Sequence, residues 1–163
     1  MTPDHAIEHA VRAAGRSPCA KSRRGVVIFH TRADAWPLAS PVAVGSNGPP
    51  PPFACDGSDS CRAACNRVAV HAEEAALLNA LSNGRLVEDA EMLHVKVDAD
   101  GRPVASSGPS CWQCSRALVA AGLAGMWLLH ADGLRRYDVV EFHRLTLEGN
   151  SLPAPMRVRA VYP

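Results

Sequence analysis

Four residues in two short segments constrain the fold of this chain more than any other feature of its sequence. His71 and Glu73 lie in the segment V-H-A-E-E, and Cys111 and Cys114 form a Cys-x-x-Cys pair about forty residues downstream. One imidazole and two thiolates occupy three corners of a zinc tetrahedron and leave the fourth open, as catalytic zinc sites do. A fold for this chain must therefore bring both segments to one ion.

Both segments are predicted to open helices that follow loops. Residues 68–83 are rich in Ala and Leu, which predicts a helix with the His-x-Glu pair in its first turn. Residues 112–121 predict a second helix, with the Cys-x-x-Cys pair on one face at its start. Two helix N-termini facing one cavity would favour thiolates there, because the positive ends of both helix dipoles meet.

The remaining elements follow from hydrophobic periodicity. We predict a helix over residues 3–14 and strands over residues 25–30, 38–45, 91–97 and 125–130, with a turn at 31–37. Residues 134–147 are ambiguous between a helix and a loop-strand mixture, and the alternation at 156–162 predicts an edge strand. This order predicts a three-layer α/β fold whose later strands are parallel.

Residues 46–66 differ in composition from the rest of the chain. Four consecutive prolines, several Gly, Asp and Ser residues and three cysteines predict one long loop without helix or inner strand. Cysteines in and near this segment are either ligands of a second, structural zinc, which would order the loop, or small buried apolar residues. They are Cys19, Cys55, Cys61 and Cys65.

Length and charge restrict the class of protein. The 163 residues predict one domain spanning 1–163, large enough for a core without disulfides. Lysine and arginine number 17 against 16 acidic residues, a formal net charge of +1, which favours a small substrate over a nucleic acid. Neither a signal peptide nor a membrane span is recognisable, so we expect a cytoplasmic protein with free or metal-bound cysteines.

The predicted zinc site indicates a reaction. Zinc lowers the pKa of its bound water toward ~7, and Glu73 can take that proton without binding the metal. The resulting hydroxide would add to an amidine carbon of a nucleobase. Glu73 would pass the proton to the ring nitrogen and then to the departing amine, which leaves as ammonia. We interpret the histidines on predicted strands, such as His94, as core or surface residues and not as ligands.

The motifs resemble those of the cytidine deaminase-like superfamily, and more closely those of its deoxycytidylate deaminase branch. The family motifs H-A-E and P-C-x-x-C correspond to His71-Ala72-Glu73 and to the Cys111/Cys114 pair. Upstream, S-P-C-A-K-S-R-R-G-V-V-I is similar to the start of that branch's first strand, and G-S-N-G-P-P-P-P-F-A-C to its G-Y-N-G-x-P loop. The resemblance extends from Ser17 to about His130.

The resemblance implies a cytidine deaminase-like fold: a three-layer α/β/α arrangement with a mixed, roughly five-stranded sheet, often in a homo-oligomer. It implies one catalytic Zn²⁺ and, as in some deoxycytidylate deaminases, a second structural Zn²⁺ on cysteines at the places of Cys19 and Cys55. Carried over by position, the zinc ligands are His71, Cys111 and Cys114, the proton shuttle is Glu73, and the substrate contacts are Asn47, Ala72, Pro109 and Ser110.

One departure from the family pattern puts the substrate in question. Ser110 stands between Pro109 and Cys111, where the family has proline directly before cysteine. This extra residue can shift the backbone carbonyl that receives the substrate amine, whereas the intact Cys-x-x-Cys spacing preserves zinc binding.

We therefore predict a zinc-dependent hydrolytic deaminase of a pyrimidine nucleotide or nucleoside. One alternative is a deaminase that acts on a base in tRNA or single-stranded DNA, which needs a basic channel and stacking aromatics. The other is a non-catalytic, zinc-stabilised binding module, against which Glu73 argues because a structural zinc has no use for an unligated carboxylate.

Overall fold

The computed structural model describes residues 1–31, 40–106 and 110–149. Most of the predicted turn at 31–37, the start of the strand predicted at 38–45, Pro109 and the edge strand predicted at 156–162 lie outside these residues. The described residues contain five helices, α1 Pro3–Gly15, α2 Asp59–Val68, α3 Ala72–Ser82, α4 Trp112–Ala120 and α5 Val139–Gly149, and six strands, β1 Arg23–Phe29, β2 Ala43–Ser46, β3 Glu91–Val97, β4 Pro103–Val104, β5 Gly125–His130 and β6 Gly133–Asp138.

The strands form one mixed sheet in the order β2-β1-β3-β5-β6, and the short β4 pairs with the end of β3. Helix α4 lies between β3 and β5, and these two strands are parallel, as predicted for strands joined by a helical crossover. All other neighbouring strands in the sheet are antiparallel. The described part of the sheet thus has six strands where roughly five were expected, and the two-residue β4 carries no apolar run that would reveal it.

Alternation along the strands divides the core into two layers. Val27 and Phe29 of β1 pack against α1, whereas Val26 and Ile28 face the side that carries α3, α4 and α5. The same alternation occurs along β3, where Leu93 faces the side of α1 and Met92 faces the side of α3, α4 and α5. The fold is therefore the predicted three-layer α/β/α arrangement, and none of the described helices is long and apolar enough to cross a membrane.

The prediction of an uninterrupted loop over residues 46–66 is wrong, because α2 begins at Asp59. The side chain of Ser58 caps this helix by accepting a hydrogen bond from the backbone N–H of Cys61 at 3.2 Å. The last proline or glycine of this segment is Gly57, and the ten residues of α2 contain neither residue type. The helix-breaking residues that suggested a loop are therefore confined to the first half of the segment.

The helix predicted over residues 68–83 consists of two elements. Helix α2 ends at Val68, and α3 begins only at Ala72. Between them Val70 and Gly48 exchange two backbone hydrogen bonds, with N···O distances of 2.9 and 3.1 Å, which require an extended Val70. His71 is consequently the N-cap residue of α3 and not part of its first turn.

Most remaining predictions for the described residues are close to the structure, although residues 40–42 of the strand predicted at 38–45 precede β2, which begins at Ala43. The strands over 91–97 and 125–130 have the predicted bounds. The ambiguous residues 134–147 form β6 and α5, which meet at Asp138. The carboxylate of Asp138 accepts hydrogen bonds from the backbone N–H groups of Val140 and Glu141, so it ends the strand by capping the helix.

Candidate functional site

The fold brings the two predicted metal-binding segments together at the start of two helices. His71 and Cys111 are the N-cap residues of α3 and α4, and Cys114 lies in the first turn of α4. The ligand atoms of these three side chains lie within 4.8 Å of one another, with His71 Nδ1 at 3.2 Å from Cys114 Sγ. Residues about forty positions apart thus meet as the spacing predicted.

This group fits a zinc ion by its donor set and by its spacing. Zinc bonds of about 2.0–2.3 Å in a tetrahedron separate neighbouring ligand atoms by roughly 3.5 Å, close to the distance between His71 and Cys114. Within residues 1–31, 40–106 and 110–149, this is the one group of three potential ligands with such spacing. Burial and then the Glu73 carboxylate raise the pKa of Cys114 well above its usual range, and a bound cation would reverse this shift.

Glu73 lies in the first turn of α3 and is only 6% exposed. Its Oε1 accepts a hydrogen bond of 2.8 Å from the hydroxyl of Ser110. Burial raises the pKa of this carboxyl, but the His94 imidazole, the backbone N–H of Glu73, the Ser110 hydroxyl and the His71 imidazole together hold the pKa below its usual range. Glu73 is therefore a buried carboxyl whose surroundings favour its ionised form, next to the His71/Cys111/Cys114 group.

His94, which we interpreted from the sequence as a core or surface residue and not as a ligand, is a buried residue that also lines the candidate site. Its side chain is buried, lines the same cavity as Glu73, and its Nε2 lies 3.5 Å from a guanidinium nitrogen of Arg24. Burial lowers the pKa of His94; the carboxylate of Glu73 opposes this and Arg24 adds to it. Alternation along β1 and β3, which puts Arg24 and His94 on the face of α3, is the signal that could have identified both residues.

Asn47, the predicted substrate contact, lines the cavity and also holds the chain around it. Its Oδ1 accepts hydrogen bonds from the Ser17 hydroxyl at 2.9 Å and from the backbone N–H of Arg24 at 2.7 Å. Its Nδ2 donates to the carbonyl oxygen of Ser22 at 2.8 Å. In this structure the amide of Asn47 therefore organises the segment between α1 and β1, a role that the sequence analysis missed.

The cavity around these residues has a volume of about 310 Å³. Ala72 and Ser110, two of the predicted substrate contacts, line it, and Met126 and Leu128 of β5 add an apolar surface. Glu73 is the one acidic residue among the described residues that line this cavity, which also has the cationic Lys21 and Arg24 in its wall. A cavity of this size and polarity suits a small polar ligand.

The four cysteines of the candidate second zinc site line an adjacent cavity of about 310 Å³. Cys55 and Cys61 are in contact, with their sulfur atoms 3.5 Å apart, and Cys19 and Cys65 line both cavities. Hydrogen bonds from the backbone of Ala20, from Cys61 and from the backbone of Gly57 lower the pKa of Cys55. No three of these four sulfur atoms lie within 4.8 Å of one another, so the thiols are neighbours without forming a closed group.

Neither a protein-family model nor a curated protein matches this sequence. Solved structures do match the fold. The dCMP deaminase of the cyanophage S-TIM5 in complex with dCMP and dUMP superposes with a TM-score of 0.55 at 20% identity, over 77% of this chain and 81% of that chain. The apo form of the same enzyme gives a TM-score of 0.53 at 19% identity, over 77% and 82% of the two chains.

A cytidine deaminase from Burkholderia pseudomallei matches with a TM-score of 0.59 at 17% identity, over 87% of this chain and 96% of that chain. These structural neighbours are pyrimidine deaminases, and the likeness extends over most of each chain. At these identities the likeness is one of fold. The described residues thus form a mixed sheet between helical layers that bears a His/Cys/Cys group, and the fold of this chain is the cytidine deaminase-like fold.

Proposed function

We propose that this protein is a zinc-dependent hydrolytic deaminase of a pyrimidine nucleotide or nucleoside. The observation that carries the proposal is the convergence of His71, Cys111 and Cys114 within 4.8 Å beside the buried carboxylate of Glu73. The shared fold with a dCMP deaminase and a cytidine deaminase adds support, because in those proteins the same architecture serves deamination. A binding module would have no need of Glu73.

Three side chains of this chain would hold the metal. His71 would bind through Nδ1, the nitrogen that faces Cys114, and the two cysteines would bind as thiolates. Zinc held there lowers the pKa of a water molecule, so that water becomes a nucleophile at neutral pH.

Glu73 performs the proton transfers in this proposal. It accepts a proton from the attacking water, whose oxygen forms a bond to the amidine carbon C4 of a cytosine ring. Glu73 then delivers that proton to the ring nitrogen N3. The proton of the new hydroxyl group at C4 then moves through the carboxylate to the exocyclic amine. The C–N bond breaks as that oxygen becomes a carbonyl, and ammonia leaves. One water is consumed and one ammonia is released.

Ala72, Asn47, Pro109 and the backbone of Ser110 are the proposed contacts of the substrate. The cationic side chains of Lys21 and Arg24 in the cavity wall support an anionic substrate such as a nucleotide, because a phosphate would find no carboxylate other than Glu73 among the described lining residues. Deamination of a base in a polymer is less supported, since no Phe, Tyr or Trp is among those lining residues to stack on a flanking base.

Three further properties stay predictions. They are a second, structural zinc on Cys19, Cys55, Cys61 and Cys65, a homo-oligomeric state, and a cytoplasmic location. The contact between Cys55 and Cys61 supports the first, because two thiols already face each other there.

The test of the proposed function is the zinc content of the purified chain together with ammonia release from a panel of cytosine and adenine nucleosides, nucleotides and single-stranded oligomers. We expect ammonia from a cytosine nucleotide or nucleoside, and its loss after chelation of zinc. Activity confined to oligomers would transfer the assignment to nucleic-acid deamination. Zinc-loaded protein that releases ammonia from no member of the panel would refute deamination of these substrates.

A further inference from the structure

One hydrogen bond links Ser110, the residue before the proposed zinc ligand Cys111, to the proposed proton shuttle Glu73. The hydroxyl of Ser110 donates to Oε1 of Glu73 at 2.8 Å, although the two residues are 37 positions apart in the chain. Ser110 directly precedes Cys111, the N-cap residue of α4 and a proposed zinc ligand. The residue that departs from the family pattern therefore contacts the carboxylate that the proposed reaction uses.

We propose that Ser110 is a positioning residue that fixes the carboxylate of Glu73 and reserves its Oε2 for proton transfer. The inference rests on the proposed function, because it assigns a role within that reaction. Ser110 acts through Glu73, and the same hydroxyl cannot at once donate to a substrate.

The geometry favours this role because a buried glutamate needs a partner to hold one orientation. A free carboxylate rotates about its terminal bond with little preference, so its two oxygens exchange places. The Ser110 hydroxyl holds Oε1. Within residues 1–31, 40–65, 67–106 and 110–149 it is the one side chain that donates a hydrogen bond to this carboxylate, and the backbone N–H of Glu73 adds to its hold on the group. An oxygen that already accepts a hydrogen bond has one lone pair fewer for an incoming proton, so Oε2 is the oxygen that exchanges protons.

A purely structural role for Ser110 finds less support in its contacts. The N-cap position of α4 belongs to Cys111, and the Ser110 hydroxyl makes its bond to a carboxylate and not to a backbone N–H of the helix. Loss of this hydroxyl would leave the helix, its sulfur ligands and the cavity wall in place, while Glu73 would lose its fixed orientation.

The kinetic test compares Ser110→Ala and Ser110→Thr with the wild type, and Ser82→Ala serves as the matched control on the exposed end of α3. We expect Ser110→Ala to lower kcat by roughly 10- to 100-fold, the scale on which misplacement of an acid–base group acts. KM should stay within about twofold and zinc content should not change, since neither depends on this hydroxyl. Ser110→Thr retains the hydroxyl and should recover most of kcat.

An unchanged kcat in Ser110→Ala would overturn the inference, and so would a raised KM at constant kcat, because that pattern indicates a substrate contact. The double variant with Glu73→Gln sharpens the test: once Glu73 cannot act, removal of the Ser110 hydroxyl should cost nothing further. Equal effects of Ser110→Ala with and without Glu73 would also overturn the inference.

Crystal structures of the zinc-loaded wild type and Ser110→Ala provide a readout that needs no turnover. We expect one orientation of the Glu73 carboxylate in the wild type and a rotated or divided orientation in the variant. An identical carboxylate in both crystals would refute the positioning role even if the protein is an active deaminase. If the wild type releases no ammonia, the proposed function itself fails, and this result is obtained before any variant is made.

Discussion

Gly45 of β2 lies against the carbonyl oxygen of Ala72, the first residue of α3. A Cβ atom at position 45 would come within 2.4 Å of that oxygen and within 2.3 Å of the backbone nitrogen of Ala76. Both are backbone atoms, so no side chain can rotate away to make room. The sheet and the helix that begins beside His71 can approach this closely only because residue 45 has no side chain.

Replacement of Gly45 by Ala should therefore destabilise the protein and displace the start of α3. We expect the free energy of unfolding to fall by about 1–3 kcal/mol, the usual cost of overpacking, and zinc affinity to weaken. Chemical denaturation and zinc titration measure the two effects. Gly15→Ala is the control, because no atom lies within 4 Å of a Cβ at that position. Equal stability of the two variants would contradict the close contact between β2 and α3.

Glu73→Gln should separate turnover from metal binding. The amide cannot carry a proton between water and substrate, so kcat should fall by roughly 10²- to 10⁴-fold while zinc per chain stays constant. Glu74→Gln tests the neighbouring carboxylate, which is exposed and does not line the cavity. Its kcat should match that of the wild type. Loss of zinc from the Glu73 variant would show instead that this carboxylate supports the metal.

His94 should make the metal-free protein less stable in mild acid. Burial holds the pKa of His94 below the ordinary value of 6.5 in the folded state. At pH values between the lowered pKa of folded His94 and the ordinary pKa of the unfolded chain, the unfolded chain binds a proton that the folded chain lacks. The free energy of unfolding therefore rises with pH across this window. The slope approaches about 1.4 kcal/mol per pH unit for one full proton.

Denaturant titrations of the metal-free protein between about pH 5 and about pH 7 measure this dependence. His94→Asn should flatten the slope just below pH 6.5, where the imidazole contributes. Glu73, whose folded pKa is also lowered, contributes in the same direction but at the lower pH where carboxylates titrate. An unchanged slope in His94→Asn would show that this imidazole is already protonated in the fold.

Zinc stoichiometry in two cysteine variants should resolve the two candidate metal sites. Cys114→Ser should remove the zinc of the proposed active site and with it the proposed deaminase activity, because serine is a poor ligand for this ion. If a second zinc is present, Cys55→Ser should remove one zinc per chain, lower the melting temperature and leave the Cys114 site loaded. If Cys55→Ser removes no metal, the loop thiols bind none, and one zinc per chain is the expected content of the wild type.

Local sequence was sufficient where an element is defined by its own composition. The apolar runs of β3 and β5 are flanked by turn residues, and the structure has the predicted bounds of both strands. Local sequence was not sufficient at residues 46–71, where the prolines and cysteines suggested a loop and α2 was not predicted. There the hydrogen bonds between Val70 and Gly48, which link distant parts of the chain, divide what reads as one helix into two.

The sequence by itself determined the composition of the candidate metal group, since His71, Cys111 and Cys114 are recognisable by type and spacing. Each segment also adjoins a helix that forms from local propensity. Only the tertiary structure decided what surrounds that group. Ser110 meets Glu73 across 37 residues, and Arg24 meets His94 across 70, on strands whose pairing depends on the whole sheet. No periodic pattern in the sequence reveals such contacts, because they form only when the strands pair and the layers pack together.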